Sequence, residues 1–598
     1  LTGSRVWCGR GALVIDVVSS IMSVRSLLLL AMAGGLLFMS DGCSRRPAAK
    51  SATVLPDKAW TRQNLNPPFK ENEIVELTPE QREALNARAE ALARFSLGLS
   101  RELEGNPLEA LEEFKLAAMA DPSNEELALD ATRRLMMADR LEEARELLSK
   151  TASLTNASGD VHAQLGWICL QLGRKAEALA QGRLAIAKAP GNLSGYRTLV
   201  AAYVQDKKFK EAAQILAQAC RQKGDVFYLL DLVELHGQYL QAGPDNPEQI
   251  KQTMRTLLEQ ARSLKPDNVG LILKMADGYA AAGDTRKAAE LLLEMQERHA
   301  GIPELRDAIR AKLTAIYLQG KERKKAMEQL EAVIKDYPLN PQAYYYLGGL
   351  AFEEKEFNKA AEYLGKTIML NPQFEPAYYD TAAAQMNANR ADDALKTLER
   401  ARQRFAPNFT LEYYTGLAYT RNKQYTEALK AFTAAEVIAR SSSPERLTPS
   451  LYFQIGACYE RVKNYDEAER FFQKAIEMDP QFAEALNYLG YMWAERNVNL
   501  DKAKELLERA LKIEPKNAAF LDSMGWIYYR LGQLSKALQY VSEAVKLSTE
   551  PDATLHDHLG DIYAALKQWD KAREAWRKAI EIEPNDEIKK KLETAPAQ

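Results

Sequence analysis

From Leu97-Gly98 to Leu559-Gly560 one skeleton returns about fourteen times at a spacing of about 34 residues, and this period rules out most folds before any other property is consulted. Its last copy, Asp552–Asp586, places Leu559-Gly560 and Tyr563 in one segment, Ala572, Trp576 and Ala579 in the next, and closes on Pro584. The same skeleton reads Ile455-Gly456, Tyr459, Ala468, Phe472, Ala475, Pro480, and upstream Leu97-Gly98, Ala110, Phe114, Ala117, Pro122. Each copy predicts two antiparallel helices joined by a short turn. Glycine in the first helix (Gly98, Gly348, Gly416, Gly456, Gly490, Gly525, Gly560) lets the second come close, and alanine there (Ala110, Ala360, Ala428, Ala468, Ala537, Ala572) meets it. A larger side chain at the alanine position would overpack the crossing by about 1–3 kcal/mol. An aromatic late in the first helix, such as Tyr459 or Tyr563, fills the space between units. Proline then ends the second helix. No pair buries its apolar face alone, so stability must come from stacked neighbours.

These positions, filled in register, resemble the tetratricopeptide repeat (TPR). The resemblance implies an all-α TPR α-solenoid, a right-handed superhelix of about 14 antiparallel helix pairs, built to hold partners. At 598 residues the chain exceeds one globular core, a limit that growth in one dimension escapes. Its 79 Lys and Arg against 82 Asp and Glu give a net charge of −3, and no basic stripe is interleaved with aromatics. Protein or peptide partners are therefore expected and nucleic acid is not, with self-association left open.

The first residues read differently. Leu27 to Met39 is an apolar run, preceded by Arg25 and followed by Ser40-Asp41-Gly42-Cys43. It is short for a membrane span and suits a signal segment, 1–43, with Met22 as the expected start. A cysteine placed so resembles a bacterial lipoprotein processing site, which implies lipidation of Cys43 and a membrane anchor. Residues 44–76, with Pro47, Pro56, Pro67 and Pro68, read as a flexible tether of roughly 30 Å. Ser44 after the lipid-bearing cysteine favours an outer-membrane address facing the periplasm.

Cys169, Cys220 and Cys458 are odd in number and widely spaced, which argues against a disulfide framework and for small buried hydrophobes. His556 and His558 are two apart and do not share a helix face, so no metal site is expected. No catalytic residue and no cofactor is assigned. The array reads as 77–440, irregular near 225–268, then a more regular 449–593 ending in a capping helix. The polar stretches Gln241–Pro247 and Ser441–Thr448 read either as tolerated insertions or as joints.

In TPR proteins, the resemblance implies, the first helices line a concave groove through their second, fifth, ninth, twelfth and thirteenth positions. Here those positions give Tyr345, Phe352, Tyr413, Arg421, Phe453, Arg461, Asn487, Tyr491, Asp522, Trp526, Tyr529 and Arg530 as the expected partner-binding row. Aromatics and arginines are the residue types enriched at binding hot spots. The lysine and asparagine clamp of chaperone-binding repeats is absent: Tyr345/Gly349, Phe453/Ala457 and Asp522/Trp526 stand there. Ala485–Tyr491 and Leu521–Gly532 further resemble large bacterial TPR lipoproteins, the best known being an outer-membrane adaptor for a periplasmic processing protease. The expectation is a non-catalytic envelope scaffold. A component of exopolysaccharide or protein export is the alternative, with an enzyme or a cytosolic regulator behind both.

Overall fold

The computed structural model describes residues 78–299 and 301–596. The expected signal segment with Cys43 and the expected tether lie outside them. Every regular element among the described residues is helical. The chain divides between Glu322 and Arg323 into two compact units.

The unit 78–322 holds α1 (Pro79–Leu103), α2 (Pro107–Ala120), α3 (Glu125–Met137), α4 (Leu141–Ala152), α5 (Gly159–Gln171), α6 (Lys175–Lys188), α7 (Leu193–Gln205), α8 (Phe209–Ala219), α9 (Val226–Gln241), α10 (Pro247–Ser263), α11 (Val269–Ala281), α12 (Thr285–Arg298) and α13 (Pro303–Gln319). The unit 323–596 opens on α14 (Arg323–Asp336) and continues as α15 (Pro341–Glu353), α16 (Phe357–Leu370), α17 (Pro376–Asn387), α18 (Ala391–Arg402), α19 (Phe409–Arg421), α20 (Tyr425–Ser442), α21 (Pro449–Arg461) and α22 (Tyr465–Met478). It ends with α23 (Ala483–Glu495), α24 (Leu500–Ile513), α25 (Ala518–Arg530), α26 (Leu534–Leu547), α27 (Ala553–Ala565), α28 (Trp569–Ile582) and the capping helix α29 (Asp586–Thr594).

The turn inside each pair is the same device. One residue after the first helix takes a left-handed conformation, among them Gly105, Gly173, Gly283, Lys355, Lys423, Lys463 and Lys567. Two hydrogen bonds then close the helix end, as where Lys355 N donates to Phe352 O at 2.9 Å and Glu356 N to Ala351 O at 2.8 Å. A lysine there carries Cβ strain that glycine avoids, partly offset by glycine's larger unfolded-state entropy. Lys463→Gly (φ 64°) should therefore raise stability by roughly 0.5 kcal/mol in a urea melt. A loss of stability would contradict this reading of the turn.

The glycine of the first helix proves to be a seat for the large residue of the second. A Cβ on Gly98 would stand 2.7 Å from the Phe114 ring, on Gly416 2.6 Å from Phe432, and on Gly560 2.4 Å from Trp576. The paired alanines, Ala360, Ala428, Ala468, Ala537 and Ala572, are fully buried beside these seats.

Neither interruption read from the sequence coincides with the division between units. Near 225–268 the chain makes a longer pair, α9 and α10, of 16 and 17 residues. At 441–448 it makes a 3-10 turn, Pro444–Arg446, before Thr448 caps α21. Arg446 donates to Thr410 Oγ1 at 3.2 Å and lies over the Phe409 ring at 5.4 Å, which ties the turn to its own repeat.

Candidate partner-binding site

In 323–596 the fifth position of successive repeats, three residues before the glycine seat or Ala382, is Tyr345, Tyr379, Tyr413, Phe453, Asn487, Asp522 and Asp557. Repeatedly this side chain reaches the sixth position of the next repeat. Tyr345 Oη donates to Asp380 Oδ2 at 2.7 Å. The Tyr379 ring packs on Tyr414 with centroids 5.8 Å apart, and Phe453 meets Tyr488 edge-on at 5.0 Å. His558 Nδ1 bonds Asp522 Oδ2 at 2.8 Å. Asp557 ends the series on the capping helix, accepting from Lys591 Nζ at 2.7 Å.

This stitching corrects the sequence reading. Phe352, Tyr413, Phe453, Asn487, Asp522 and Trp526 are buried, between 1% exposed at Asp522 and 8% at Tyr413, and so do not line an open groove. Phe352 packs on Phe357 at 5.2 Å, and Phe453 is enclosed by Phe472, Phe482 and Tyr488. Trp526 stacks on His558 at 4.0 Å and on Tyr529 at 4.7 Å, while its Nε1 donates to Glu495. The other six, Tyr345, Arg421, Arg461, Tyr491, Tyr529 and Arg530, are half-buried. Tyr345 is engaged by Phe374 and Asp380, and Arg530 lies over Trp526 at 5.0 Å with a bond to the Glu495 carbonyl. Arg421 and Arg461, at the ends of α19 and α21, keep part of their surface in solvent.

Sequence reasoning missed Asp380, Tyr379, Tyr414 and His558. Burial lifts the Asp380 carboxyl to about 6, with Tyr345 pulling the other way. Burial also raises Asp522 and works against the His558 imidazolium, but Asp522, Asp557 and Glu495 outweigh it there and His558 is raised. The 2.8 Å contact and the rise of His558 favour a protonated imidazole facing Asp522. Burial pushes the Cys169 and Cys458 thiols up to about 11, which leaves little thiolate for chemistry. Among the described residues, no group of three or more His, Cys, Asp and Glu is arranged to hold a metal, and no helix is long and apolar enough to cross a membrane.

An open cleft of about 620 Å³ lies at α18, α19 and α20, lined by Glu399, Arg402, Glu412, Thr415, Tyr419 and Lys430 among others. Arg402 clamps the buried Glu412 with two nitrogens there. Its walls are mixed in charge and offer hydrogen bonds to a polar segment rather than a nucleophile and base.

Models described as tetratricopeptide repeat match 129–192, 316–368, 351–411, 407–481, 459–518, 518–551 and 553–586, together more than half of the chain. A PPR repeat model matches 274–299. The chain is similar to anaphase-promoting complex subunit 6 of Arabidopsis thaliana, 25% identical over 217 residues, which are 35% of this chain and 37% of that protein. Among solved structures it is similar to a tetratricopeptide repeat protein from Parabacteroides merdae (19% identity, 42% of this chain, 97% of that one, TM-score 0.36). It is also similar to yeast Tom70 (16% identity, 79% and 95%, TM-score 0.31). The repeat models, and the paired helices that carry glycine seats and left-handed turns in register, make this chain an all-α solenoid of the tetratricopeptide-repeat family.

Proposed function

We propose that the chain is an interaction scaffold that takes protein or peptide partners along its first-helix faces, is held in the bacterial envelope by lipid on Cys43, and faces the periplasm. The observation that carries the scaffold reading is the repeat itself: most side chains of chemical interest are spent on joining neighbours, and what remains is extended surface. The cleft at Arg402 and the half-buried Arg421 and Arg461, the latter 15% exposed at its side chain and 3.4 Å from Glu460, offer that surface hydrogen bonds and positive charge. Acidic or carbonyl-rich segments complement it. A processing protease is the partner class implied by the resemblance of Ala485–Tyr491 and Leu521–Gly532, and the Cys43 setting supports the envelope address.

The test is capture from native envelope with the full chain. Arg421→Glu combined with Arg461→Glu should lower capture of the bound partner at least about 10-fold while the melting temperature stays within a few degrees. Undiminished capture would remove these arginines from the site. Labelled palmitate should attach to the chain and be lost in Cys43→Ser; a wild-type chain that takes no label would end the lipid reading. A captured protease supports the adaptor role, whereas captured synthase or export subunits would replace it.

A further inference from the structure

The most exposed apolar stripe of the described chain lies on α1, away from the row read from the sequence. Leu85, Leu92, Leu99 and Leu103 are 56%, 67%, 41% and 90% exposed. Leu85, Leu92 and Leu99 are spaced by a heptad, and Ala89, Ser96 and Leu103 follow each by four residues, so the six form one seam. The opposite side of the helix is already used, where Phe95 and Gly98 meet Phe114 of α2.

α1 has 25 residues where most first helices have 13. Its first three turns, Pro79 to Glu90, are exposed at every residue except Ala87, which is half-buried. Their start is nonetheless fully capped: Thr78 Oγ1 accepts from Gln81 N, and Gln81 Oε1 from Thr78 N. A short helix without packing is marginal in water, so well-capped, leucine-bearing turns that project beyond their repeat call for a cover.

We propose that a second copy of this chain covers the stripe, α1 against α1 and antiparallel. The pattern is self-complementary in that direction. Leu85 falls opposite the second copy's Leu103, Ala89 opposite its Leu99, and Leu92 opposite its Ser96, so small residues receive large ones along the seam. The charges agree as well: on one flank Arg82 comes alongside the second copy's Glu104, which would share it with its own Arg101 at 3.1 Å, and on the other Arg88 alongside its Glu102, shared with its own Arg134 at 2.9 Å. The two-fold axis repeats each pairing, which is what an isologous interface requires. A parallel arrangement would put Ala89 on Ala89 and Ser96 on Ser96 and leave gaps.

The seam is about 27 Å long at 1.5 Å per residue, so association in the micromolar range is expected. Sedimentation of the full chain over about 1–100 µM should show a monomer–dimer equilibrium. Leu92→Glu with Leu99→Glu should weaken it roughly 100-fold or more with unchanged far-UV circular dichroism. Differently tagged Leu92→Cys and Ser96→Cys chains, mixed and oxidised, should form the mixed disulfide in preference to either like pair. A wild-type monomer at the top of the range overturns the proposal, as does a dimer indifferent to the two glutamates. Preferred Ser96→Cys self-linkage would overturn the antiparallel register. A monomer that melts lower with the two glutamates would mean another segment of the same chain covers the stripe, which also overturns it.

Discussion

Replacing Asp522 with leucine should cost about 3–5 kcal/mol, because it strands a fully buried imidazolium. His558 Nδ1 lies 2.8 Å from Asp522 Oδ2, the histidine is inaccessible to solvent, and Trp526 is stacked on it. His558→Leu should cost a similar amount by leaving the carboxylate unpaired. The double leucine variant should recover much of the loss, since an apolar pair of similar volume is often no worse than a buried ion pair. The pair also sets a pH dependence. Both folded values are raised, so both groups bind protons more tightly folded than unfolded, and both lose stability as pH rises. Asp522's share falls above its unfolded value of about 3.9. His558's is complete below about 6.5 and is lost as pH passes through its higher folded value. The groups acting on that imidazole are Asp522, Asp557 and Glu495. The double leucine variant should therefore show a flatter melting-temperature profile across neutral pH than the wild type. Equal slopes would show the pair does not carry the charge assigned to it.

Gly560→Leu should be the second large loss, about 3 kcal/mol or more. Even a bare Cβ there would stand 2.4 Å from Trp576 Nε1 and 2.9 Å from its Cε2. The indole has little room to yield, since Trp576 is 4% exposed and its Nε1 donates to Asp561 Oδ1 at 3.1 Å. Gly560→Ala should already be costly for the same reason. Gly105→Ala instead meets no neighbour, and is strained only by its φ of 80°. A Gly560→Leu melt within a degree of wild type would refute the glycine-seat account.

The repeat, its helix pairs and its capping helix were legible in the sequence because glycine, alanine and proline recur in fixed places for local reasons. The glycine's partner was legible only in part. Alanine was expected to take the contact, whereas the side chain nearest Gly98, Gly416, Gly456 and Gly560 is the aromatic one turn farther on. Half of the binding row, Phe352, Tyr413, Phe453, Asn487, Asp522 and Trp526, was misread as open surface because a period says which helix face a residue occupies but not how neighbouring first helices are offset. That offset turns Tyr345, Phe453 and Asp522 toward the next repeat. Asp380 escaped notice because Ala382 stands where its neighbours have glycine, and His558 because it was weighed only as a ligand beside His556. The α1 stripe begins upstream of the first clear repeat and continues along the face of that repeat away from Gly98, where the period gives no guide.

Hydrogen exchange on the full chain carrying Asp522→Leu tests most directly whether these repeats are stitched from the fifth position of one to the sixth of the next. The account predicts faster amide exchange in both Ala518–Arg530 and Ala553–Ala565, falling off toward Pro341–Glu353. Faster exchange confined to Ala518–Arg530 would contradict it.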